Sequence, residues 1–264
     1  VRIIRIKCRA ILIACVVATL TACAGSGANI RSEIPPRHSI SELRDEPFAV
    51  VYDPWEGFNR HMYKFDFYFD KYLFLPAVRG YEFVTPVFLQ DRISNFYNNL
   101  AEVRNFTNNV FQLKGKESAK TLGRFLTNST IGLGGLFDPA SKLGLERSYQ
   151  DFGKTLGYWG VDSGPYLVLP IFGPSSVRDT GGLMVDSGIT YGIYTLVDPF
   201  RGADNEFAIT AGLETLNAID TRHQQSFRYY ESGFPFEYYM VRFIYHEKRE
   251  IESGKAGKDK ANQQ

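Results

Sequence analysis

Asp53-Pro54-Trp55-Glu56-Gly57-Phe58-Asn59-Arg60-His61-Met62-Tyr63-Lys64-Phe65-Asp66-Phe67-Tyr68-Phe69 opens the body of the chain, and its spacing sets the fold class. Asp53 is placed to cap a helix, Pro54 suits a first helical position, and Glu56 completes a pattern like a capping box. Phe58, Met62, Phe65, Phe69 and Tyr72 recur at four- and three-residue steps, the mark of one helical face. Asn59, Arg60, Lys64 and Asp66 fall off that face. Phe67, Tyr68 and Phe74 widen the apolar arc beyond what a one-sided helix needs, so this helix is expected either deep in a core or partly in lipid.

Beyond it, Pro76 and Pro86 read as brackets of a connector. Ile93, Phe96, Tyr97, Leu100, Val103, Thr107, Val110 and Phe111 then form a second helical stripe, with Asn95, Asn98, Asn99, Asn105, Asn108 and Asn109 filling the rest. Asparagine is a poor helix former, so packing against protein or membrane is expected to hold this segment. A third helix is expected over Glu117 to about Thr130, with Leu122, Phe125, Leu126 and Ser129 on one side. Gly132-Leu133-Gly134-Gly135-Leu136-Phe137 ends it, and Asp138-Pro139 restarts a helix, as Asp198-Pro199 does later. From Gly153 to Gly192 glycine and proline are dense; Tyr166 to Leu169 reads as a short strand or an apolar loop. Residues 205–230 and 236–249 return to helix, with Phe236, Tyr239, Met240 and Phe243 on one face. The fold class is mainly α, with a Gly/Pro-rich irregular middle.

Before this body, Arg2, Arg5, Lys7 and Arg9 precede an apolar run from Ile11 to Leu20 and small residues before Cys23. That is the layout of a secretory signal peptide, and the run is short of the roughly 20 apolar residues that span a bilayer. Leu20-Thr21-Ala22-Cys23 resembles a bacterial lipobox, which implies cleavage before Cys23 and acylation of that residue; an ordinary export signal with an incidental cysteine is the alternative. Ala24 after the cysteine favours the outer membrane over inner-membrane retention. The chain then divides into a signal peptide (1–22), a lipidated cysteine with a flexible Pro-containing tether (23–52), a helical domain (53–249) and a polar disordered tail (250–264).

The 264 residues carry 30 basic and 29 acidic side chains. Without the four basic residues of 1–22 the balance is 26 against 29, a formal charge of −3, which does not suit a nucleic-acid binder. Cys8, Cys15 and Cys23 leave the mature domain without a disulfide. Aromatics make up 15% of the chain, with 21 Phe and 16 Tyr, as expected of a large aromatic core or a surface at a bilayer interface.

Enzyme chemistry finds little support. Gly132 to Gly135 lacks both the P-loop ending and the dinucleotide spacing. His38, His61, His223 and His246 form no metal-ligand pattern, and no cofactor or metal is expected. There is no Gly-x-Ser-x-Gly elbow. The triplets Asp162-Ser163-Gly164 and Asp186-Ser187-Gly188 bring an aspartic-protease pair to mind, yet they lie close in sequence and read more simply as turns and caps. The chain is not expected to be an enzyme.

A series of blocks, in order, resembles one family. Asp53 to Arg60 with Met62-Tyr63 is similar to the opening motif of the MlaA (VacJ) lipoprotein family. Ser94-Asn95-Phe96, Asn98-Asn99-Leu100, Arg124-Phe125 and Asn128 through Asp138 follow, then Phe152-Gly153, Thr155-Leu156-Gly157, Gly164-Pro165-Tyr166, Leu169-Pro170, Gly173-Pro174-Ser175 and Arg178-Asp179. The resemblance implies a single ring- or disc-like helical domain whose amphipathic helices lie in the periplasmic leaflet of a Gram-negative outer membrane. It implies association with a trimeric porin, a channel that takes mislocalised phospholipids from the outer leaflet, and delivery to a periplasmic lipid-carrier protein. Leu133, Gly134, Gly135, Leu136, Phe137 and Asp138 would then be a flexible channel rim. Asp53, Pro54, Gly57, Phe58, Asn59, Arg60 and Phe65 would fix helix packing. A lipid-anchored structural or adhesion lipoprotein without transport is the alternative.

Overall fold

The computed structural model describes residues 34, 42, 51–197 and 200–254. The signal peptide, Cys23, most of the tether, Asp198-Pro199 and the end of the tail lie outside the described residues.

Helix α1 (Glu56–Phe69) passes through a π-helical turn (Asp70–Phe74) into α2 (Leu75–Val84). The expected connector after Pro76 is therefore helical. The proline sits in the first turn of α2, and the wider turn before it absorbs the hydrogen bond that proline cannot donate. Thr85-Pro86 breaks the helix, and α3 (Val87–Phe111) and α4 (Gly115–Thr130) follow as a long antiparallel pair joined at Leu113, whose φ is 56°. A turn leads to the short α5 (Pro139–Lys142), which Asp138 caps by accepting from Ser141 N–H, as the sequence suggests. Next come α6 (Phe152–Tyr158), an antiparallel hairpin of β1 (Tyr166–Leu169) and β2 (Gly173–Ser176), then α7 (Val177–Val197), α8 (Glu206–Gln224) and α9 (Glu237–Glu252). The fold is mainly α.

The middle is less irregular than its glycines imply. Helix α7 runs for 21 residues through Gly181, Gly182, Gly188 and Gly192. Its glycines serve contact rather than termination: a Cβ on Gly182 would stand 2.3 Å from the Gly153 amide nitrogen, so α6 and α7 cross backbone to backbone. The end of the domain is also later than 249. Helix α9 continues to Glu252, where Glu250 pairs with Arg178 at 3.2 Å and Glu252 with Lys154 at 3.0 Å. Those charges are structural, so residues 250–252 do not belong to a solvated tail.

One conventional core exists. Tyr63 of α1, Tyr166 and Val168 of β1 and Tyr238 and Tyr239 of α9 are buried together. The Tyr63 ring meets Tyr229, Tyr230 and Tyr238 edge-on at 4.9, 5.3 and 5.8 Å, the arrangement favoured by ring quadrupoles. Three of the hydroxyls meet carboxylates: Tyr63 donates to Glu237, Tyr238 to Asp53 and Tyr239 to Glu56, while that of Tyr166 is buried without a partner.

Elsewhere polarity is reversed. The inward face of α3 carries Gln90, Asn99, Glu102, Asn105, Asn108 and Asn109, all buried, while Val87, Phe88, Leu100 and Val110 are exposed. In α4 the buried residues are Ser118, Thr121, Arg124 and Asn128, and Leu122 and Leu126 face outward. In α1, Phe58, Phe65 and Tyr72 of the expected stripe are exposed, whereas off-stripe Asn59 and Asp66 are buried. Phe83, at the end of α2, is 90% exposed. Among the described residues no helix is long and apolar enough to cross a membrane.

Candidate functional site

Asp53 does not cap α1. The N-cap is Trp55, without a side-chain bond, because Asp53 is drawn across the chain. Its carboxylate accepts from Asn59 at 2.8 Å, Tyr238 at 2.6 Å and Arg242 at 3.0 Å. Asn59 in turn completes the free edge of β1: its amide donates to Tyr166 O at 3.0 Å, and its Oδ1 accepts from Val168 N–H at 2.9 Å. Two turns on, Asp66 accepts from Ile171 N–H at 2.7 Å. Asn59 thus supplies the bonds of a missing strand. Burial, reinforced by nearby Asp70, pushes the Asp66 carboxyl up to about 6. Arg60 pairs with Glu56 at 2.8 Å and lies over Tyr238 and Tyr239. Phe58 and Phe65 face outward, and a Cβ on Gly57 would touch nothing.

The turn 131–138 stands at one end of the α3–α4 pair. Leu133, Gly134 and Gly135 have φ of 52°, 73° and 93°. Gly135 is required there, since its Cβ would lie 2.8 Å from Asn99 Cβ. Leu133, Leu136 and Phe137 are exposed. The turn is fastened at both ends: Gly134 N–H donates to Ser129 O and Gly135 N–H to Asn128 O, and the Asp138 carboxylate accepts from Arg124, Asn128 and Ser141. Burial works to raise the Asp138 carboxyl, but the Ser141 bonds, with those from Arg124 and Asn128, hold it at about 2.

Behind the turn a polar network runs along α3. Arg124 binds Glu102 at 3.0 Å, and Arg147 faces the same carboxylate at 3.3 Å. Glu102 also accepts from Asn105, whose Oδ1 takes Gln150 N–H. Asn108 donates to Asp186 at 2.9 Å and accepts from Thr155, which also receives Gln112. Low local dielectric makes such chains strong when complete. Asp186 gives its other oxygen to Phe152 N–H, so it is a structural acid. Ser163 donates to Glu250, a bond within the fold like those of Asp186. Among the described residues no cluster of His, Cys, Asp and Glu could hold a metal ion.

A second clasp closes the chain. Arg249 binds Asp151 with both terminal nitrogens at 2.7 Å and Asp179 at 2.8 Å. Burial opposes ionisation of Asp179, yet Arg249, with help from Tyr245 and Arg178, keeps it at about 2. Arg222 likewise grips Asp70 at 2.6 and 2.7 Å. None of these arginine pairs stood out in the sequence. The available signal was Glu102, Asn105 and Asn109 at helical spacing, opposite an apolar stripe.

The MlaA lipoprotein family profile matches residues 51–252. The chain belongs to the MlaA lipoprotein family. Within it, the chain is 44% identical over 140 residues to an uncharacterised Rickettsia prowazekii protein, covering 53% of this chain and 54% of that one. It is 35% identical over 176 residues to the intermembrane phospholipid transport system lipoprotein MlaA of Escherichia coli, covering 65% and 66%. The chain spans about half the length of the first of these relatives. A solved structure described as "Structural basis for maintenance of bacterial outer membrane lipid asymmetry" is 29% identical, with a TM-score of 0.59, and covers 76% of this chain and 98% of that one. The MlaA profile begins at Val51, where Tyr52 O already accepts from Tyr166 N–H, so the domain starts slightly before Asp53.

Proposed function

We propose that this chain is an outer-membrane lipoprotein that moves phospholipid, taking molecules mislocalised in the outer leaflet and passing them to a periplasmic carrier. Membership of the MlaA family supports the substrate and the membrane. The observation that carries the reading is the reversed polarity of α1, α3 and α4: exposed Phe58, Phe88 and Leu126 around buried Asn, Glu and Arg. An exposed apolar surface of this extent marks a membrane or protein contact, and helices that lie in an interface show this segregation. The aromatic faces therefore rest in acyl chains of the periplasmic leaflet, with a lipidated Cys23 as anchor and a trimeric porin as neighbour. Leu133 to Asp138 form the rim of the lipid passage. Transfer needs no covalent chemistry, and the chain is no enzyme.

The test is outer-leaflet phospholipid in cells lacking the protein, in cells carrying Cys23→Ala and in wild type. A rise in both altered strains, with lost detergent resistance, is expected. Wild-type levels in the deletion strain would overturn the proposal; a rise in the deletion strain alone would overturn the anchor.

A further inference from the structure

The turn 131–138 is held very unevenly. Gly135 and Phe137 N–H make ordinary backbone bonds to Asn128 O and Gly132 O, but from other side chains Leu136 O accepts only from half-buried Arg92 and Asn95, at 3.4 and 3.2 Å. At its far end, where Asn128 and Ser141 also bind Asp138, one side chain reaches furthest. Arg124, 3% exposed on α4, donates Nε to Glu102 on α3, Nη2 to Asp138, and Nη1 to Ser141 on α5 and to Leu145 O. Three separate stretches of chain thus converge on one planar guanidinium, whose fork fits paired carboxylates in a way an ammonium does not. Glu102 is itself braced by Arg147, which also reaches Asn98 O, so Arg124 stands on a fixed post.

A turn that only joined α4 to α5 would not need to carry three exposed apolar side chains through a left-handed leucine. A non-glycine residue held there marks a position that the surroundings impose. We propose that Arg124 is the positioning residue that latches the rim, fixing Asp138 against Glu102 so that Leu133, Leu136 and Phe137 keep one placement at the mouth of the lipid passage. This rests on the reading of residues 133–138 as that rim. Released from Arg124, the turn swings about Leu133 to Gly135, and lipid passage loses its control.

The test uses the full chain in its own outer membrane with Leu133→Cys as reporter. Maleimide labelling and outer-leaflet phospholipid are measured at matched protein level in Arg124→Gln, Arg124→Lys and Asp138→Asn. Arg249→Gln is the control, since Arg249 also serves two carboxylates but has no bond to the turn. Arg124→Gln and Asp138→Asn are expected to label several-fold faster and to raise outer-leaflet phospholipid toward the deletion level, with Arg124→Lys between them and wild type. Arg249→Gln is expected to move neither readout. Unchanged labelling in both rim variants overturns the latch, and so does faster labelling with wild-type lipid levels. If Arg124→Gln does not accumulate, Asp138→Asn carries the test, because asparagine keeps the acceptor for Ser141 N–H. A deletion strain with normal outer-leaflet phospholipid refutes the lipid reading itself, and the latch's role with it, whatever the labelling shows.

Discussion

The tyrosine core and the α3–α4 pair are built from the same chain on opposite rules. Around Tyr63, Tyr166, Val168 and Tyr238 rings are inside, and the hydroxyls of Tyr63 and Tyr238 find carboxylates at the margin, as in a water-soluble domain. Along α3 and α4 amides, a carboxylate and an arginine are inside, and leucine, valine and phenylalanine are outside. The first region is stabilised by removing apolar surface from water, at about 25 cal/mol per Å². The second gains little that way. It is held by geometry-specific polar bonds, and its exterior has a low free energy only where water is absent. One molecule thus carries a half-core with its rings inside and a helix pair with its apolar side chains outside, the face that the proposed function places in lipid.

Truncation separates the two. Tyr63→Ala is expected to cost about 3–5 kcal/mol, through an emptied core site and a Glu237 left short of a donor; Leu126→Ala, on the exposed face of α4, is expected within about 0.5 kcal/mol. Chemical denaturation in detergent measures both. A large loss at Leu126 would mean that its side chain packs against protein and would break the comparison.

Asn108→Leu probes the reversed interior directly. By ordinary hydrophobic logic it should help a buried helix face. Here it takes one partner each from Asp186 and Thr155, and a buried polar atom left unmet costs about 1–3 kcal/mol. A fall in unfolding midpoint is expected, and a rise would show that the polar interior is dispensable.

Asp66→Asn sharpens the comparison from the seam between the halves. The folded-state carboxyl sits near 6, above its ordinary value of 3.8. Folding therefore favours the protonated form, and the stability it brings at low pH is lost as pH rises through about 6. Asparagine still accepts from Ile171 N–H without the charge. The variant is expected to gain about 1–2 kcal/mol at neutral pH and to flatten the decline between about pH 4 and pH 6. Parallel pH profiles for variant and wild type would refute the assignment.

The sequence made the helices legible, and their order, the turn after Thr130 and the family resemblance with them. It could not say which face points inward. Periodicity locates an apolar stripe but carries no sign, and Phe58 and Phe65 satisfy the same pattern in a core or in a bilayer. Asp53 was misread as a cap because its true partners, Tyr238 and Arg242, lie nearly the whole domain away. Helix α7 was obscured because glycine lowers helix propensity locally, whereas the gain at Gly182 comes from Gly153 on another helix. The same reason hid Arg124 and Arg249. A buried arginine and a solvated one look alike until the carboxylates around them are known.

The central claim is that the apolar exteriors of these helices lie in hydrocarbon. A fluorophore attached through Phe83→Cys or Leu126→Cys, and through Lys248→Cys for reference, can be read in native outer membranes against quenchers dissolved in acyl chains. The account predicts strong quenching at 83 and 126 and little at 248, whose side chain is 67% exposed on the charged end of α9. Equal, weak quenching at all three, with equally fast reaction toward a water-soluble thiol reagent, would contradict it.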